Sequence, residues 1–455
     1  MAVFSIIQKS QLEGAKRLDA EYYQPEYLDL EKKLAKLETK TLEEVSKSVI
    51  SFGAYSLTSY IEWQEFGVPY INVGDIHDGY IDFSNVKYIS ERVNEILKKS
   101  KVSDGQVLLS MAGTIGNAAI AHNLSQSANA NQAIAKITLS DTVSPYYLAA
   151  FLNSKYGLLQ TRREVVSSVQ ENIFLGSIKR FKIPIFNRNA INEIENSYKG
   201  FLKELESSKL FYSQAENLLL EELGLKDFNA DENLSTVVNL SEIKSAHRLD
   251  AEYFQSKYNK LISKIKDQGA KSLEDFVKDY STGFPFKSEN YQEEGISLIR
   301  INNIRKGYID LGDSAYLSEK DFLLSPKDTA KSGDIVLSMS SGTIGMSATI
   351  PNDIKKCSIN QRILRITPQN IDGDYLAFLL NSVIGASQLE RIGTGGVQTN
   401  ISYKDIKNIL IPILPKSIQQ KISALVRRSH ESRKKAKELL GEAKRNVEEL
   451  IEEGK

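Results

Sequence analysis

The sequence lacks most features of an enzyme that carries its own cofactor or metal. Its single cysteine, Cys357, excludes an intramolecular disulfide and fits a reducing cytoplasm. No Gly-Lys-Ser/Thr stretch or Gly-x-Gly-x-x-Gly turn is present to bind phosphates, and the four histidines are scattered without metal-ligand spacing. No two prolines are adjacent, so the Pro-Pro dipeptide typical of the catalytic loop of DNA amino-methyltransferases is missing. We therefore expect a chain that catalyses nothing by itself and binds no cofactor or metal.

Long apolar runs and an excess of one charge are also missing. No stretch approaches the roughly 18 apolar residues of a membrane helix, and the first residues do not resemble a secretory signal peptide. The 58 Lys and Arg residues balance 58 Asp and Glu residues. This balance argues against a protein that coats nucleic acid indiscriminately, because such domains are strongly basic. We expect a cytoplasmic protein without a membrane partner, in which local basic patches remain compatible with the charge balance.

The most informative feature is an internal duplication. The phrase RLDAEYYQPEY from Arg17 returns as RLDAEYFQSKY from Arg248, about 230 positions later. Four more pairs follow in the same order: INVGDIHDGYID (71–82) with IRINNIRKGYID (299–310), LLSMAGTIGNAAI (108–120) with VLSMSSGTIGMSATI (336–350), NQAIAKI (131–137) with NQRILRI (360–366), and SVQENIFLGSIKRFKIPI (168–185) with GVQTNISYKDIKNILIPI (396–413). Solenoid repeats would be much shorter, so the chain is one module used twice.

Each module combines helical and strand patterns, which predicts an α+β fold. A helix is expected over 19–37 and, in the second copy, over 250–265. VLLSM and NAAIA flank the glycine turn 113–116 as a strand, turn and strand. That turn is either a tight hairpin or a loop that binds a ligand.

A long helical segment follows each module. Apolar and small residues spaced alternately three and four apart predict a heptad seam on each segment. The first seam comprises Ile191, Ile194, Tyr198, Phe201, Leu205, Ser208, Tyr212, Ala215 and Leu219, and the second Ile418, Ile422, Leu425, Ser429, Ser432, Ala436, Leu439, Ala443, Val447 and Leu450. Large side chains in the first and small ones in the second favour a packed helix pair. The alternative is that each helix packs only on its own module. Gly224 is the expected stop of the first helix.

The repeated RLDAEYY/F phrase, the GTIG turn, the NQ strand start and the VQxNIS…IKxxxIPI closure together resemble the specificity subunit of Type I restriction–modification systems. The resemblance covers essentially the whole chain and departs at Phe174, where the family usually has serine, as at Ser402. It implies two tandem mixed α/β target recognition domains, related by an internal duplication and separated by two long helices that pack as an antiparallel coiled coil. The expected boundaries are 1–186 and 229–414 for the domains, and 187–228 and 415–455 for the helices.

The resemblance also implies a function. Each domain would recognise one half of a bipartite, asymmetric sequence in double-stranded DNA. The helices would dock two methyltransferase (modification) subunits, which restriction/translocase subunits could join. S-adenosylmethionine would bind the modification subunit and not this chain. Helices of about 33 residues span roughly 50 Å, enough to hold two DNA-binding modules about one helical turn (~34 Å) or more apart. The alternatives are the specificity subunit of a related system without a motor, a self-contained nuclease, and a coiled-coil scaffold that binds only protein.

The candidate DNA contacts fall where the two modules differ or where glycine allows close approach. The first set lies in the INVGDIHDG and IRINNIRKG loops, whose Arg, Asn and Asp side chains match guanine, adenine and cytosine; the alternative is a solvated loop. These residues are Asn72, Asp75, His77, Arg300, Asn302, Asn303, Arg305 and Lys306. The second set lies in the glycine turns, where hydroxyls and backbone amides would reach phosphates or bases: Ser110, Gly113, Thr114, Ser338, Gly342 and Thr343.

Two further sets complete the prediction. The stretch before the closure offers basic and amide side chains, although a solvated helix end would have the same composition. It contains Arg162, Arg163, Gln170, Lys179, Arg180, Arg391, Thr394 and Gln398. A glycine-aromatic loop in each module adds Tyr55, Ser56, Phe284 and Lys287, of which the aromatic residues could equally belong to the core. We assign the repeated Arg17, Asp19 and Tyr22, with their counterparts Arg248, Asp250 and Tyr253, to structure or docking.

Overall fold

The computed structural model describes residues 4–15, 17–51, 59–124, 127–165, 171–226, 235–312, 314–340, 342–393 and 401–454, except the side chains of residues 11, 13 and 14. The chain divides into two compact units, Met1–Glu206 with Arg433–Lys455, and Ser207–Ser432. Each unit therefore contains one module together with part of each long helix.

The first module alternates short strands and helices. Its helices are α1 (Lys9–Ala15), α2 (Pro25–Leu34), α3 (Glu91–Ile96), α4 (Pro145–Asn153), α5 (Lys155–Glu164) and α6 (Leu175–Lys179), and the long helix α7 (Arg188–Glu222) follows. Its strands are β1 (Thr39–Thr41), β2 (Ser46–Ile50), β3 (Trp63–Gln64), β4 (Val68–Ile71), β5 (Lys87–Ile89), β6 (Lys101–Val102), β7 (Val107–Ser110), β8 (Ala118–Ile120), β9 (Ala128–Ala130), β10 (Ile134–Leu139) and β11 (Lys182–Pro184).

Two larger sheets carry the first module. One is antiparallel with strand order β2-β10-β7-β8, and the other has the order β3-β5-β4-β9-β6 with β4 and β9 parallel. Strands β7 and β8 are buried throughout, as expected from their unbroken apolar runs. They pair antiparallel across the glycine turn, which confirms the predicted strand, turn and strand. A third, two-stranded sheet joins β1 to β11 and closes the module.

The second module repeats this arrangement. Its helices are α8 (Leu240–Ala246), α9 (Ser256–Asp267), α10 (Glu319–Phe322), α11 (Gly373–Asn381), α12 (Val383–Gly393) and α13 (Tyr403–Ile406), before the long helix α14 (Lys416–Glu453). Its strands are β12 (Lys271–Ser272), β13 (Val277–Ser281), β14 (Ile296–Ile299), β15 (Ile304–Arg305), β16 (Tyr308–Ile309), β17 (Ala315–Leu317), β18 (Thr329–Lys331), β19 (Ile335–Ser338), β20 (Ser347–Thr349), β21 (Lys356–Ile359), β22 (Ile363–Pro368) and β23 (Leu410–Ile411). Strand order β13-β22-β19-β20 matches β2-β10-β7-β8, and β17-β14-β21-β18 matches β5-β4-β9-β6, without a counterpart of the edge strand β3 among the described residues.

The predicted N-terminal helix of each module is interrupted. A 3-10 turn, Ala20–Tyr23, precedes α2, and Gln24 between them is extended at φ −54° and ψ 144°. Pro25 explains this break, because a residue before proline avoids the α conformation. Gln255 breaks the second copy at φ −56° and ψ 136°, although serine follows it. Contacts elsewhere in the module must therefore also hold the break.

Within each unit, the two long helices pack antiparallel. In the first unit Gly200 lies against Leu439, and Lys435 Nζ is 2.6 Å from Glu204 Oε1. In the second unit, Ser429 Oγ donates to the backbone oxygen of Ser208 at 2.8 Å, and the Arg428 guanidinium lies 4.0 Å from the centre of the Phe211 ring. As residue numbers rise on α7, those of their partners on α14 fall. The expected helix pair is confirmed.

The buried face of α14 differs from the predicted seam. Every predicted position on α7 is buried except the half-buried Tyr212. On α14, the predicted Leu425 and Leu439 are only half-buried, whereas Val426 and Leu440 are buried. In each unit, the segments of both long helices also join the core of the module there, which widens and shifts the buried stripe of α14. Gly224 ends α7 as predicted, with φ +60° and the amide of Leu225 donating to Leu220 at 2.7 Å.

Candidate nucleic-acid interface

A short turn after a buried strand carries the first set of candidates. In the first module the amide of Asn72 donates to Asp75 Oδ2 at 2.7 Å, which closes the turn Val73–Asp75. In the second module the amide of Arg300 donates to Asn303 Oδ1 at 2.9 Å. Asn303 is 1% exposed and also donates from Nδ2 to the backbone oxygen of Asp310 at 3.0 Å. In this structure the Asn303 side chain is used inside the turn, and its contact with DNA stays a prediction.

The end of the same loop faces the long helices of its own unit. Lys306 Nζ lies 3.1 Å from Glu216 Oε1 on α7, and Gly307 packs against Tyr212. In the first unit, the equivalent Gly79 accepts at its backbone oxygen a hydrogen bond of 2.7 Å from Tyr198 Oη. Lys306 is therefore already paired within the protein. The other predicted side chains of this loop are exposed or half-buried: Asn72, Asp75, His77, Arg300, Asn302 and Arg305.

The glycine turn presents its backbone rather than its serines. Ser110 and Ser338 are both 0% exposed. Ser110 Oγ donates to the backbone oxygen of Thr114 and accepts from the amide of Asn117 at 3.0 Å, and Ser338 Oγ lies 2.8 Å from Thr343 Oγ1. Both hydroxyls hold the turn in this structure, and the contact of the two serines with DNA stays a prediction. The positions that remain open at the tip are the exposed Gly113, Thr114 and Gly342 and the half-buried Thr343.

Three of the predicted stretches meet in the first module. Asn117, in the glycine turn, donates from Nδ2 to the backbone oxygen of Ile76 at 3.1 Å, which ties the turn to the 71–82 loop. Gly116 has φ +95°, and a Cβ there would lie 3.1 Å from Thr161 on α5. The glycine is therefore needed both for its conformation and for close packing. The loop, the turn and helix α5 are consequently in direct contact.

Two of the predicted arginines, Arg163 and Arg391, hold the repeated N-terminal phrase. Arg163 lies 4.2 Å from the centre of the Tyr22 ring, donates from Nε to the backbone oxygen of Tyr22 at 3.1 Å, and pairs with Glu31 at 2.7 Å. Arg391 repeats the arrangement on Tyr253, at 4.4 Å from the ring and 3.0 Å from the backbone oxygen. Their guanidinium groups therefore stabilise the module. This is the contact that holds the break before α2 and α9.

The repeated phrase itself forms a compact polar cluster. Arg17 donates two hydrogen bonds of 2.6 Å to Asp19, and its guanidinium lies 4.8 Å from the centre of the Tyr22 ring. Tyr22 thus contacts two guanidinium groups, which is favourable because each cation interacts with the electron-rich ring. The hydrogen bond from Arg17 lowers the pKa of Asp19. Burial raises the pKa of Tyr22 to about 12, so its hydroxyl stays protonated.

The remaining basic candidates are exposed or half-buried. Arg162 is exposed on the last turn of α5. Three others form surface ion pairs, which contribute about 0–1 kcal/mol each and leave the cations able to bind a phosphate. These pairs are Lys179–Glu43 at 3.0 Å, Arg180–Glu164 at 3.4 Å and Lys287–Glu289 at 3.5 Å. Five further candidates lie outside the described residues: Tyr55, Ser56, Gln170, Thr394 and Gln398.

A cavity on the first module was not predicted. Its volume is about 270 Å³, and its lining comprises Ile61, Trp63, Tyr70, Asn72, Asn131 and Gln132. Two features of the sequence could have indicated it. Trp63 is the only tryptophan in the chain, and the Asn-Gln pair is part of the duplication. The cavity adjoins Asn72 and therefore belongs to the same region as the predicted loop.

The structure contains no helix, among the residues it describes, that is long and apolar enough to cross a membrane. Within the same residues no three side chains of His, Cys, Asp or Glu converge as metal ligands would. Cys357 is buried, and burial raises the pKa of its thiol to about 12. The thiol therefore stays protonated at neutral pH.

The duplicated α/β module matches, in both copies, a family model described as the Type I restriction modification DNA specificity domain, over residues 35–192 and 265–431. Because these matches cover more than half of the sequence, the chain belongs to this family. The predicted family and fold class are thereby confirmed.

Individual relatives match shorter stretches. The chain is 31% identical over 188 residues to the Type I restriction enzyme MjaVIII specificity subunit of Methanocaldococcus jannaschii, which covers 39% of this chain and 44% of that protein. It is 28% identical over 123 residues to the EcoBI specificity subunit of Escherichia coli, covering 26% and 25% respectively. The matches thus span less than half the length of these curated relatives. The crystal structure of a Type I restriction–modification S subunit from M. genitalium aligns with a TM-score of 0.43 at 15% identity, over 92% of this chain and 95% of that one.

Proposed function

We infer that this chain selects the DNA target of a Type I restriction–modification complex, with one module for each half of a bipartite, asymmetric site. The observation that carries this proposal is a shared scaffold with different side chains. Each module carries an equivalent glycine turn on the equivalent sheet, with Gly113 at the tip in the first module and Gly342 in the second. The turn before it begins with Asn72 in one module and with Arg300 in the other. Since asparagine suits adenine and arginine suits guanine, two different half-sites are expected.

In this proposal the chemistry belongs to partner subunits. The chain itself is not an enzyme, and the methyl donor S-adenosylmethionine binds the modification subunit. The modification subunits transfer the methyl group at the position that this chain selects, and restriction subunits join the same complex.

The duplication also supports docking of two copies of one partner. Large apolar side chains are exposed at equivalent positions around the repeated phrase. Leu18 is 87% exposed and its counterpart Leu249 is 85% exposed, while Ile6 and Val237 are exposed at 89% and 101%. Exposed apolar patches mark interaction sites when they recur in a defined place. Two equivalent patches suit two modification subunits.

Methylation mapping at single-base resolution tests the proposal. A host expresses the cognate modification subunit with or without this chain. We expect marks at a split, asymmetric motif only when the chain is present. Identical marks without the chain would contradict the proposal, as would absent marks from a complex that is shown to be assembled and active. The Arg300→Asn variant adds a matched control, because it should alter only the half-site bound by the second module.

A further inference from the structure

The cavity of the first module has an aromatic wall suited to a flat ligand. Trp63 is 48% exposed, and its ring centre lies 5.3 Å from that of the buried Tyr70, edge to face. An apolar cavity of about 150 Å³ is large enough to bind benzene. The volume of about 270 Å³ observed here therefore accommodates a planar heterocycle of one or two rings.

The lining also carries polar groups, one of which has no hydrogen-bond partner. Gln132 Oε1 is buried and accepts no hydrogen bond within the described part of the chain. The neighbouring Asn131 accepts at Oδ1 from the amide of Ala133 at 2.9 Å, but its Nδ2 makes only a long contact of 3.5 Å to Asn72. Burial raises the pKa of Tyr70 to about 12, so its hydroxyl remains a donor at neutral pH. The lining thus offers an acceptor beside donors.

Positive charge lies next to the aromatic wall. Lys87 Nζ is 4.8 Å from the centre of the Trp63 ring. Lys87 is exposed and does not line the cavity, so its ammonium group can contact a phosphate while the cavity holds another part of the same nucleotide.

In the second module, the residues equivalent to Trp63 and Asn131 contact other side chains. Tyr291 stands where the first module has Trp63, and the Arg300 guanidinium lies 5.8 Å from the centre of its ring. Asn360, the counterpart of Asn131, donates from Nδ2 to Tyr291 Oη at 3.2 Å. The buried, unpaired Gln132 Oε1 is therefore a property of the first module, because the equivalent Gln361 is exposed to solvent.

We propose that this cavity receives one unstacked nucleobase of the DNA half-site bound by the first module, stacked on Trp63 and bound at its amino edge by Gln132 and Asn131. Adenine is the best match, because a side-chain amide can accept from its amino group and donate to the adjacent ring nitrogen. Proteins that extrude a base must break its pairing and stacking, and the cost falls when the base is already mismatched. This inference rests on the proposed function, since it requires a half-site for the first module.

A mismatch scan detects the extruded base. The complete complex binds duplexes that carry its methylation motif, and at each pair of the first half-site the base on one strand is replaced to create a mismatch. At the position of the extruded base, replacing its partner should tighten binding roughly fivefold or more. At the other contacted pairs, mismatches should weaken binding, roughly fivefold to more than a hundredfold. The position must differ from the methylated base, because the methyltransferase extrudes that base itself.

Two variants assign the effect to the cavity. Gln132→Leu removes the acceptor at similar volume and should weaken binding to the matched duplex roughly tenfold. It should also abolish the gain from the mismatch. Trp63→Leu is a second variant with the same expected direction. Gln361→Leu, at the equivalent position of the second module, is the control and should change affinity less than twofold. Thermal unfolding of each variant establishes that it folds as the parent does.

The outcomes separate this inference from the proposed function. If no mismatch tightens binding, or if Gln132→Leu behaves like Gln361→Leu, the cavity does not hold a base. The parent complex would in that case still distinguish its motif from scrambled DNA, and the proposed function would stand. A parent complex without such selectivity overturns both.

Discussion

The ion pair between Arg17 and Asp19 makes the stability of the first module depend on pH. The hydrogen bonds from Arg17 hold the pKa of Asp19 below its ordinary value of 3.8. The folded state therefore binds a proton less readily than the unfolded state. The stabilisation is fully present above the ordinary pKa and is lost as the pH falls through the lowered pKa of the folded state. Because Asp19 is 37% exposed, solvent screening limits the effect to about 1 kcal/mol.

We expect Asp19→Asn to lower the free energy of unfolding by about 1 kcal/mol at pH 7. The difference from the parent should shrink as the pH falls below 4, where the carboxylate of the parent becomes protonated. Urea unfolding at a series of pH values measures it. Asp141→Asn is the control. Asp141 is fully exposed, and its carboxylate forms only a long ion pair of 4.0 Å with Lys47. A pH-independent loss in Asp19→Asn would show that the charge of the carboxylate is not responsible.

Two glycines of the second glycine turn have the same backbone angle but different surroundings. Gly342 and Gly345 both have φ +84°, and a Cβ at Gly345 would lie 2.8 Å from Leu389, whereas one at Gly342 would meet nothing within 4 Å. Gly342→Ala should cost only the left-handed strain of about 1–2 kcal/mol. Gly345→Ala adds a clash with the core and should cost about 1–3 kcal/mol more. Equal unfolding free energies for the two variants in urea would contradict this packing argument.

At the residue scale, sequence patterns located the turn but not the direction of its side chains. The glycines of GTIG are recognisable because left-handed positions favour glycine. Ser110 and Ser338 stand beside them and were expected to face DNA, yet both are buried. A hydroxyl can satisfy a neighbouring backbone group or a ligand equally well, and only the packing of the rest of the module decides between them.

At the scale of elements, the two copies of the closure helix differ in the N-cap residue that precedes them. Ser402 precedes α13 and forms a capping box with Asp405, donating to its Oδ2 at 2.6 Å. Phe174 precedes α6, makes no cap and is 62% exposed. Phe174→Ser should therefore stabilise α6 by about 1 kcal/mol, because a serine oxygen accepts from an otherwise unpaired amide.

Hydrogen exchange of the amides in α6 measures that change. We expect roughly fivefold slower exchange in Phe174→Ser, which corresponds to about 1 kcal/mol. Ser402→Ala is the reciprocal variant and should speed exchange in α13 by a similar factor. Unchanged exchange in both would show that the closure helices are held by tertiary packing alone.

Element types were predictable where a pattern was long, and boundaries were not. The apolar spacing on α7 identified its buried face correctly, because one stripe of α7 packs on α14 and on the module core within each unit. On α14 the same rule missed Val426 and Leu440. These residues are buried because contacts with the module cores shift the buried face of the helix away from the heptad positions. The break at Gln255 was equally invisible, since no proline follows it and the contact that holds it comes from Arg391, far along the chain.

At the scale of the whole molecule, the duplication was the feature best predicted from sequence. It needs no knowledge of packing, because order and spacing alone establish it. The cavity lined by Trp63 and Gln132 was missed for the opposite reason. Its walls come from three separated segments of one module, and only the structure brings them together.

The repeated exposed leucines lead to a prediction about stoichiometry. Leu18 and Leu249 occupy equivalent positions and are 87% and 85% exposed. If each one contacts a modification subunit, Leu18→Asp and Leu249→Asp should each reduce the number of bound modification subunits from two to one. The double variant should bind none. The physical reason is that burying a leucine contributes about 1.5–3 kcal/mol, whereas burying an unpaired carboxylate is strongly unfavourable. Native mass spectrometry of the assembled complex counts the subunits.

Leu323→Asp distinguishes docking from a general effect of charge. Leu323 is also well exposed, at 65%, but the first module has Glu95 at the equivalent position, so this leucine is not part of a repeated patch. The variant should keep both modification subunits. If Leu18→Asp and Leu249→Asp also keep both, the repeated patches are not the docking sites. Loss of both subunits from either single variant would instead mean that binding of one subunit requires the other. In that case the duplicated patches would act as a cooperative pair rather than as two independent sites.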